Sequence, residues 1–262
     1  MWSHRPSFSI TLHCASRLIN IRDRLSGRIR SQPATTPHLT SSRHSIPSGN
    51  SLLDAVFVEP VAQPARASVL ICHGIGEIAP QWFPIQRILA EAGVASLVFD
   101  YSGYGRSTGR IHWNQLEQDA ISAFQLLQRL APPGPISLLG FSLGTGIVPA
   151  IASRVNADRL VLCAGYTSFR AAACAIGLPA FLAPLVPPIW DAQESLPACN
   201  LPVLVVHSTH DWLFPVEMAH DLVAMCSGNA RLLLMPGLGH NEPFYKPTLS
   251  YWGPICSFLL TK

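Results

Sequence analysis

Residues 136–148 read ISLLGFSLGTGIV, and this stretch decides the fold. Its first four residues suit a buried strand, and residues 145–148 open a helical stretch. Between them, Gly140, Ser142 and Gly144 form a G-x-S-x-G pattern. A strand that turns sharply into a helix strains its central residue, and the flanking glycines let neighbouring backbone approach. The pattern predicts that the Ser142 hydroxyl is exposed above a sheet. An ordinary strand-to-helix turn with an incidental serine is the alternative.

Short apolar runs recur on both sides of this stretch. Each has the length of a strand that is covered on both faces of a parallel sheet, and helical stretches separate most of them. The predicted strands are residues 52–58, 68–72, 95–99, 136–140, 159–164, 202–207 and 231–235. The predicted helices are residues 84–92, 114–130, 145–155, 215–226 and 247–260, the last of them broken at Gly253-Pro254. This alternation predicts an α/β domain over residues 51–262, with a doubly wound, mostly parallel sheet.

One interval interrupts the alternation. Residues 166–200 separate two predicted strands by about 35 residues, more than an ordinary connection needs. The interval is apolar and contains five prolines, at positions 179, 184, 187, 188 and 197. We interpret it as a small cap insertion with one or two short helices. A single crossover helix with an irregular loop is the alternative.

The first 50 residues differ in composition from the rest of the chain. They contain seven Arg residues and one acidic residue, Asp23, and they are rich in Ser and Thr. Residues 8–29 suit an amphipathic basic helix, which is typical of a mitochondrial transit peptide. A disordered tail and an extension from a start codon placed too far upstream are the alternatives. We therefore assign residues 1–50 to a leader that takes no part in the chemistry.

Composition and charge limit the classes of function. Hydrophobic residues make up 48% of the chain and charged residues 13%, which indicates a globular domain with a large core. The net charge is +3, but residues 51–262 carry 11 basic and 14 acidic residues, so no nucleic-acid partner is expected. No uninterrupted apolar run reaches the roughly 18 residues of a transmembrane helix. We expect a cytoplasmic protein, or a mitochondrial one if the leader is a real transit peptide.

The seven Cys residues are scattered and show no zinc-ligand spacing with His. Several lie in apolar runs, which indicates buried thiols in a reducing compartment. The sequence therefore predicts no metal site and no organic cofactor.

A serine hydroxyl needs a base to become a good nucleophile, and two later segments supply candidates. His240 lies in the sequence PGLGHN after the last predicted strand, and Asp211 follows the strand before it. Both positions share the sheet edge of Ser142, where Asp211 would orient the His240 imidazole and stabilise its charged form. The order Ser142, Asp211, His240 is the one that this architecture requires. Glu217 and Asp221, on the following predicted helix, are alternative acids.

The segment CHGIG, residues 72–76, follows another buried strand. A turn there would aim backbone N–H groups at a substrate carbonyl. We expect the N–H groups of Ile75 and Leu143 to form a two-donor oxyanion hole, an arrangement that stabilises the charge of the transition state.

Five separated motifs resemble those of the α/β-hydrolase superfamily and occur in its order. They are His73-Gly74, DYSGYGRS at residues 100–107, GFSLG at residues 140–144, Asp211 and Gly239-His240. The sequence of residues 100–109 and the Gly-His-Asn tripeptide at residues 239–241 are similar to the matching segments of one group of serine hydrolases. This group includes the relatives of fission yeast Bem46 and the mammalian protein depalmitoylases. The resemblance covers residues 51–262 and implies an α/β-hydrolase fold.

The sequence thus predicts a serine hydrolase that cleaves a carboxylic ester or thioester through an acyl-enzyme on Ser142. Its substrate would be a small or lipid-like acyl compound. Transfer of the acyl group to an acceptor other than water, and cleavage of a peptide bond, are alternatives with the same triad. A non-catalytic binding module on this fold is an alternative of another class. A missing triad member would favour that reading, and Ser142, Asp211 and His240 are all present.

Overall fold

Eight strands form one sheet within residues 39–261, the part of the chain that the computed structural model describes. The strands are β1 (Leu39–Ser48), β2 (Ser51–Pro60), β3 (Ala67–Cys72), β4 (Val94–Phe99), β5 (Ile136–Phe141), β6 (Leu160–Cys163), β7 (Val203–Ser208) and β8 (Ala230–Met235). Their order across the sheet is β1-β2-β4-β3-β5-β6-β7-β8. Strand β2 runs antiparallel to both of its neighbours, and all other pairs are parallel. The predicted mostly parallel sheet is confirmed.

Helices cover both faces of the sheet. They are α1 (Phe83–Glu91), α2 (Trp113–Leu130), α3 (Gly144–Ala152), α4 (Phe169–Ala175), α5 (Ala192–Ser195), α6 (Val216–Met225), α7 (Glu242–Tyr245) and α8 (Leu249–Leu259). Apolar side chains of α2, α3 and α6 join one core cluster, and those of α1 and α8 join the other. This double cover explains why the central strands are apolar on both sides. Between residues 39 and 261, no helix has the length and apolar character to cross a membrane.

The first strand lies inside the predicted leader. Residues 39–48 pair with β2, and Gly49 turns the hairpin with a φ of 54°. Across this hairpin, Arg43 donates two hydrogen bonds of 2.5 Å to the Asp54 carboxylate. The sheet therefore begins before the boundary predicted at residue 50. Sequence periodicity missed β1 because this edge strand is polar and only part of it is buried. Residues 1–38 lie outside the described part, so the targeting hypothesis stays a prediction.

The last helix runs through a proline. The sequence predicts a break at Gly253-Pro254, but α8 continues from Leu249 to Leu259, so this prediction is wrong. A proline inside a helix costs about 3 kcal/mol, because it removes a hydrogen bond and crowds the preceding turn. Tyr251 and Trp252 on one side of Pro254, and Ile255 on the other, are buried. Their burial against the sheet stabilises the helix enough to offset that cost.

The cap segment, residues 166–200, connects β6 to β7. It contains α4, a short 3-10 helix (Ala180–Leu185) and α5. At its start, the Tyr166 hydroxyl donates to the Leu143 carbonyl oxygen over 3.2 Å, and Tyr166 packs with Ala172 and Phe214 in a small apolar cluster. The segment therefore touches both the start of α3 and the loop after β7. Further along, Phe181 is 80% exposed.

Candidate active site

Ser142 occupies the sharp turn between β5 and α3. Its φ is 49°, in the left-handed region that a residue with a side chain rarely adopts. The two neighbouring glycines have no room for a side chain. A Cβ on Gly144 would lie 1.9 Å from the Cys72 carbonyl oxygen, and one on Gly140 would lie 2.5 Å from that of Gly144. The G-x-S-x-G pattern thus reflects close backbone packing, which forces Ser142 into its strained conformation.

The structure brings Ser142, His240 and Asp211 into one hydrogen-bonded line. The His240 Nε2 atom lies 2.9 Å from the Ser142 hydroxyl oxygen, and its Nδ1 atom lies 2.7 Å from the Asp211 Oδ2 atom. His240 is 2% exposed and Ser142 is 6% exposed. Because the Asp211 carboxylate only accepts, Nδ1 carries a proton, and the Nε2 lone pair of neutral His240 faces the serine hydroxyl. This geometry leaves a base in contact with the serine proton.

A tight turn after β7 holds the Asp211 carboxylate. The backbone N–H groups of Leu213 and Phe214 donate to Asp211 Oδ1 over 2.8 Å and 2.9 Å, which leaves Oδ2 for His240. Burial alone would raise the pKa of the Asp211 carboxyl, but the hydrogen bond and charge of His240 and these two N–H groups lower it below its ordinary value. Asp211 is therefore ionised at neutral pH. The alternative acid Glu217 is exposed on α6.

The turn after β3 carries Ile75, and it lies beside the turn that carries Ser142. Strands β3 and β5 are neighbours, and Cys72 pairs with Gly140 at the end of both strands. Leu143 directly precedes α3, where amide groups have no partner within the helix. Both predicted oxyanion donors therefore lie at the same sheet edge as the Ser142 hydroxyl.

Sequence reasoning missed Glu77, which lies under this turn. It is 5% exposed, and its Oε2 atom accepts from the Gly74 N–H over 2.8 Å and from Trp82 Nε1 over 3.1 Å. A Cβ on Gly74 would approach Glu77 Oε1 to 2.7 Å, so a side chain there would displace the Glu77 carboxyl. Burial raises the pKa of the Glu77 carboxyl to about 8. An acidic residue three positions after His-Gly was the available signal.

The loop that follows β4 supports the same turn. The Asp100 Oδ1 atom accepts from the Ala79 N–H over 2.6 Å, and the Tyr101 hydroxyl donates to the His73 carbonyl oxygen over 3.2 Å. A Cβ on Gly105 would lie 1.9 Å from Asp100 Oδ2. Gly105 therefore leaves room for the buried Asp100 carboxylate.

Two further features concern ligand sites. Within residues 39–261, no group of three or more His, Cys, Asp or Glu side chains is arranged to hold a metal ion. A cavity of about 510 Å³ lies between the end of α3 and residues 188–201, and none of Ser142, Asp211 and His240 lines it. This cavity is therefore separate from the hydrogen-bonded Ser142, His240 and Asp211 side chains.

Comparison with known proteins gives a family match and several relatives. The model of the family described as "Serine aminopeptidase, S33" matches residues 63–191, which include Ser142. An uncharacterized protein of Mycobacterium tuberculosis is 31% identical over 179 residues, covering 67% of this chain and 63% of that protein. The lysophosphatidylserine lipase ABHD12 of Danio rerio is 24% identical over 213 residues, covering 72% of this chain and 56% of that protein. The chain thus spans less than two thirds of the length of these relatives.

The fold is shared with solved structures. The esterase Pf2001 of Pyrococcus furiosus superposes with a TM-score of 0.69 at 18% sequence identity, covering 88% of this chain and 94% of that one. The narrower resemblance to the Bem46-related group stays a prediction. The eight-stranded sheet, the family match and the relatives together identify the chain as a member of the α/β-hydrolase superfamily.

Proposed function

We propose that the protein is a serine hydrolase that cleaves a carboxylic ester or thioester through an acyl-enzyme on Ser142. The observation that carries the proposal is the unbroken line from Asp211 through His240 to the Ser142 hydroxyl, with contacts of 2.7 Å and 2.9 Å. The strained φ of Ser142 supports the same reading, because backbone strain of this kind concentrates at functional sites.

In the proposed reaction, His240 Nε2 takes the hydroxyl proton while the Ser142 oxygen attacks the substrate carbonyl carbon. The resulting imidazolium lies between the serine and the ionised Asp211, which stabilises its charge. His240 then gives the proton to the leaving alcohol or thiol, and the carbon–oxygen or carbon–sulfur bond breaks. A water molecule then loses a proton to His240 and attacks the carbonyl carbon of the acyl-enzyme. The bond from that carbon to the Ser142 oxygen breaks, His240 returns the proton to this oxygen, and the acid is released.

The tetrahedral intermediates carry a negative oxygen, which the backbone N–H groups of Ile75 and Leu143 would bind. The N-terminal end of α3 adds a favourable dipole for that charge. Leu143 also contacts the cap segment through its carbonyl oxygen, which accepts from the Tyr166 hydroxyl. We infer that this contact helps to fix the position of Leu143, whose N–H belongs to the preceding peptide group.

A lipid-like acyl substrate is the class that we favour. One relative is named a lysophosphatidylserine lipase and one structural neighbour is named an esterase. The exposed apolar side chains of the cap segment, including Phe181 and Leu185, would suit such a substrate. An amide or peptide substrate is the second candidate, and the description of the matched family supports it.

A fluorophosphonate probe tests the proposal directly. We expect wild-type protein to be labelled at Ser142, and Ser142→Ala protein to remain unlabelled. A panel of p-nitrophenyl esters, acyl thioesters and amino-acid anilides then ranks the bond types, and we expect the first two classes to be cleaved faster. No label and no turnover in the folded wild-type protein would favour a binding module.

A further inference from the structure

His207 is a buried titratable side chain that the proposed reaction does not use. It lies in β7, is 0% exposed, and its Nε2 atom is 3.0 Å from the Phe214 carbonyl oxygen. Because a carbonyl oxygen only accepts, Nε2 carries the proton and donates to Phe214. The Nδ1 atom is then an unprotonated acceptor, and it has no hydrogen-bond partner within the described residues. A buried polar atom without a partner costs about 1–3 kcal/mol, so the unpartnered Nδ1 atom makes His207 an unfavourable side chain for core filling alone.

The partner of His207 is connected to the whole proposed triad. Phe214 donates its N–H to Asp211 Oδ1 over 2.9 Å. Its ring meets the His240 ring edge-on, with the centroids 5.1 Å apart at an interplanar angle of 87°. It also packs on the Tyr166 ring, whose hydroxyl holds the Leu143 carbonyl oxygen. A displacement of Phe214 would therefore move Asp211 and His240 directly. Through Tyr166 it would also move the Leu143 carbonyl.

Direct contact between His207 and the acid is too long for a hydrogen bond. His207 Nε2 lies 3.7 Å from Asp211 Oδ2, so it does not compete for the oxygen that His240 uses. Hydrogen bonds fix both ends of the turn at residues 211–214. At its start, Asp211 Oδ1 accepts from the backbone N–H groups of Leu213 and Phe214. At its end, the Phe214 carbonyl oxygen accepts from His207 Nε2. The buried His207 donor is therefore bound by the last residue of the turn that holds Asp211.

We propose that His207 is a positioning residue, whose Nε2–H anchors Phe214 and thereby aims the Asp211 carboxylate at His240. The role rests on the proposed serine hydrolase function. Burial lowers the pKa of the His207 imidazole, which keeps it a neutral donor. The charges that act on it come from the neighbouring Asp211 and His240 and, more weakly, from Glu217 on the exposed side of α6. A protonated His207 would compete with His240 for the charge of Asp211.

Two amide variants separate anchoring from simple core filling. In His207→Gln the side-chain amide nitrogen reaches the place of Nε2, whereas in His207→Asn it reaches only that of Nδ1. We expect H207Q to keep a kcat close to that of the wild type. In H207N the Phe214 carbonyl loses its donor, and we expect kcat to fall by about 10- to 100-fold with KM unchanged, because small misplacements of catalytic groups have effects of this size.

A spectroscopic readout works without any turnover. The Nδ1 proton of His240, held by Asp211, should give a low-field proton resonance in wild type and H207Q, broadened or shifted upfield in H207N and missing in His240→Ala. Nitrogen chemical shifts of the wild-type imidazoles should assign the neutral Nε2–H tautomer to His207, a result that needs no variant to fold. If the proposed function fails, the wild type shows neither turnover nor labelling, while both spectroscopic results still test His207. Three results would each overturn the proposal: a wild-type kcat and a wild-type resonance in H207N, equal losses of kcat in H207Q and H207N, or an Nδ1–H tautomer of His207 in the wild type.

Discussion

The Nε2 atom of His240 lies 2.9 Å from the hydroxyl oxygen of Ser142, although 98 positions separate the two residues in the chain. The contact joins a loop after β8 to the turn between β5 and α3, across the edge of the sheet. Ser142 therefore combines a base within reach with a backbone conformation that costs free energy. Substitutions at Ser142 can therefore test both its role in turnover and the effect of its backbone conformation on the free energy of unfolding.

Replacing Ser142 by Ala and by Gly should separate these two properties. Both variants should lose turnover of a short p-nitrophenyl ester, by a factor on the order of 10⁶ as in other triads. Only Gly relieves the positive φ, so Ser142→Gly should be more stable than Ser142→Ala by about 1 kcal/mol. Urea unfolding measures that difference. An alanine variant that retained a sizeable part of the wild-type rate would exclude Ser142 as the nucleophile.

Asp211→Asn should lower kcat by a factor on the order of 10⁴, because an amide favours the wrong tautomer of His240. Glu217→Gln and Asp221→Asn are matched controls on the exposed side of α6, and both should be close to wild type. Steady-state kinetics at neutral pH makes the comparison. A mild D211N together with a severe loss in either control would move the acid onto the helix.

Glu77 should make stability fall as the pH rises. Its pKa is about 8 in the folded protein and its ordinary value is 4.5, so the folded state retains a proton that the unfolded chain releases. The stabilising contribution of that proton is complete below the ordinary value and is lost as the pH rises to about 8. Glu77→Gln stays neutral and can still accept from Gly74 and Trp82.

We therefore expect the free energy of unfolding to fall less between pH 6 and pH 9 in E77Q than in the wild type. Urea titrations at both pH values measure it, with the exposed Glu194→Gln as control. Parallel pH dependences in wild type and E77Q would show that Glu77 is ionised throughout this range.

The cap segment should make the rate depend on acyl length. If its apolar side chains line the acyl site, each added methylene contributes about 0.8 kcal/mol, or about fourfold in kcat/KM, until the site is filled. The p-nitrophenyl esters of medium-chain acids should thus be cleaved faster than p-nitrophenyl acetate. Replacing residues 176–188 by a short Gly/Ser linker, which leaves the buried Trp190 in place, should flatten the profile. If kcat/KM did not depend on acyl length in the intact protein, the cap segment would only cover the hydrophobic core and would not line the acyl site.

Strand β1 should contribute measurably to stability through Ser48. The Ser48 hydroxyl donates to Asp119 Oδ1 over 2.7 Å in a buried position. Ser48→Ala removes one of two donors to that oxygen, since Gln115 Nε2 also donates to it over 2.7 Å. It should reduce the free energy of unfolding by about 1 kcal/mol, the net contribution of one hydrogen bond. Ser45→Ala, an exposed position on the same strand, is the control and should change little. Equal stability of the two variants would argue against β1 as a structural strand.

Local pattern was enough to predict most of the architecture. The central strands could be read from their apolar runs because both faces of the sheet are covered, so every residue of β3 is buried. The turn at Ser142 could be predicted because Gly140 and Gly144 meet backbone atoms at distances that no side chain permits. Asp211 and His240 could be predicted as site residues because each follows the end of a strand. The carboxyl ends of parallel strands lie at the same edge of the sheet.

Contacts between distant segments decided the rest. β1 is polar along much of its length and takes its place in the sheet only by pairing with β2. The helix continues through Pro254 because the side chains on either side of this residue are buried against the sheet. Helix propensity, which is a local property, does not include that stabilisation. His207 and Glu77 read as ordinary polar residues in the sequence, and only their burial beside Phe214 and Gly74 shows what they hold. The sequence by itself determined most of the secondary-structure elements and the order of the reactive groups along the chain, because those follow from periodicity and local sterics. Only the tertiary structure decided which polar side chains lose water, because desolvation depends on everything that packs around them.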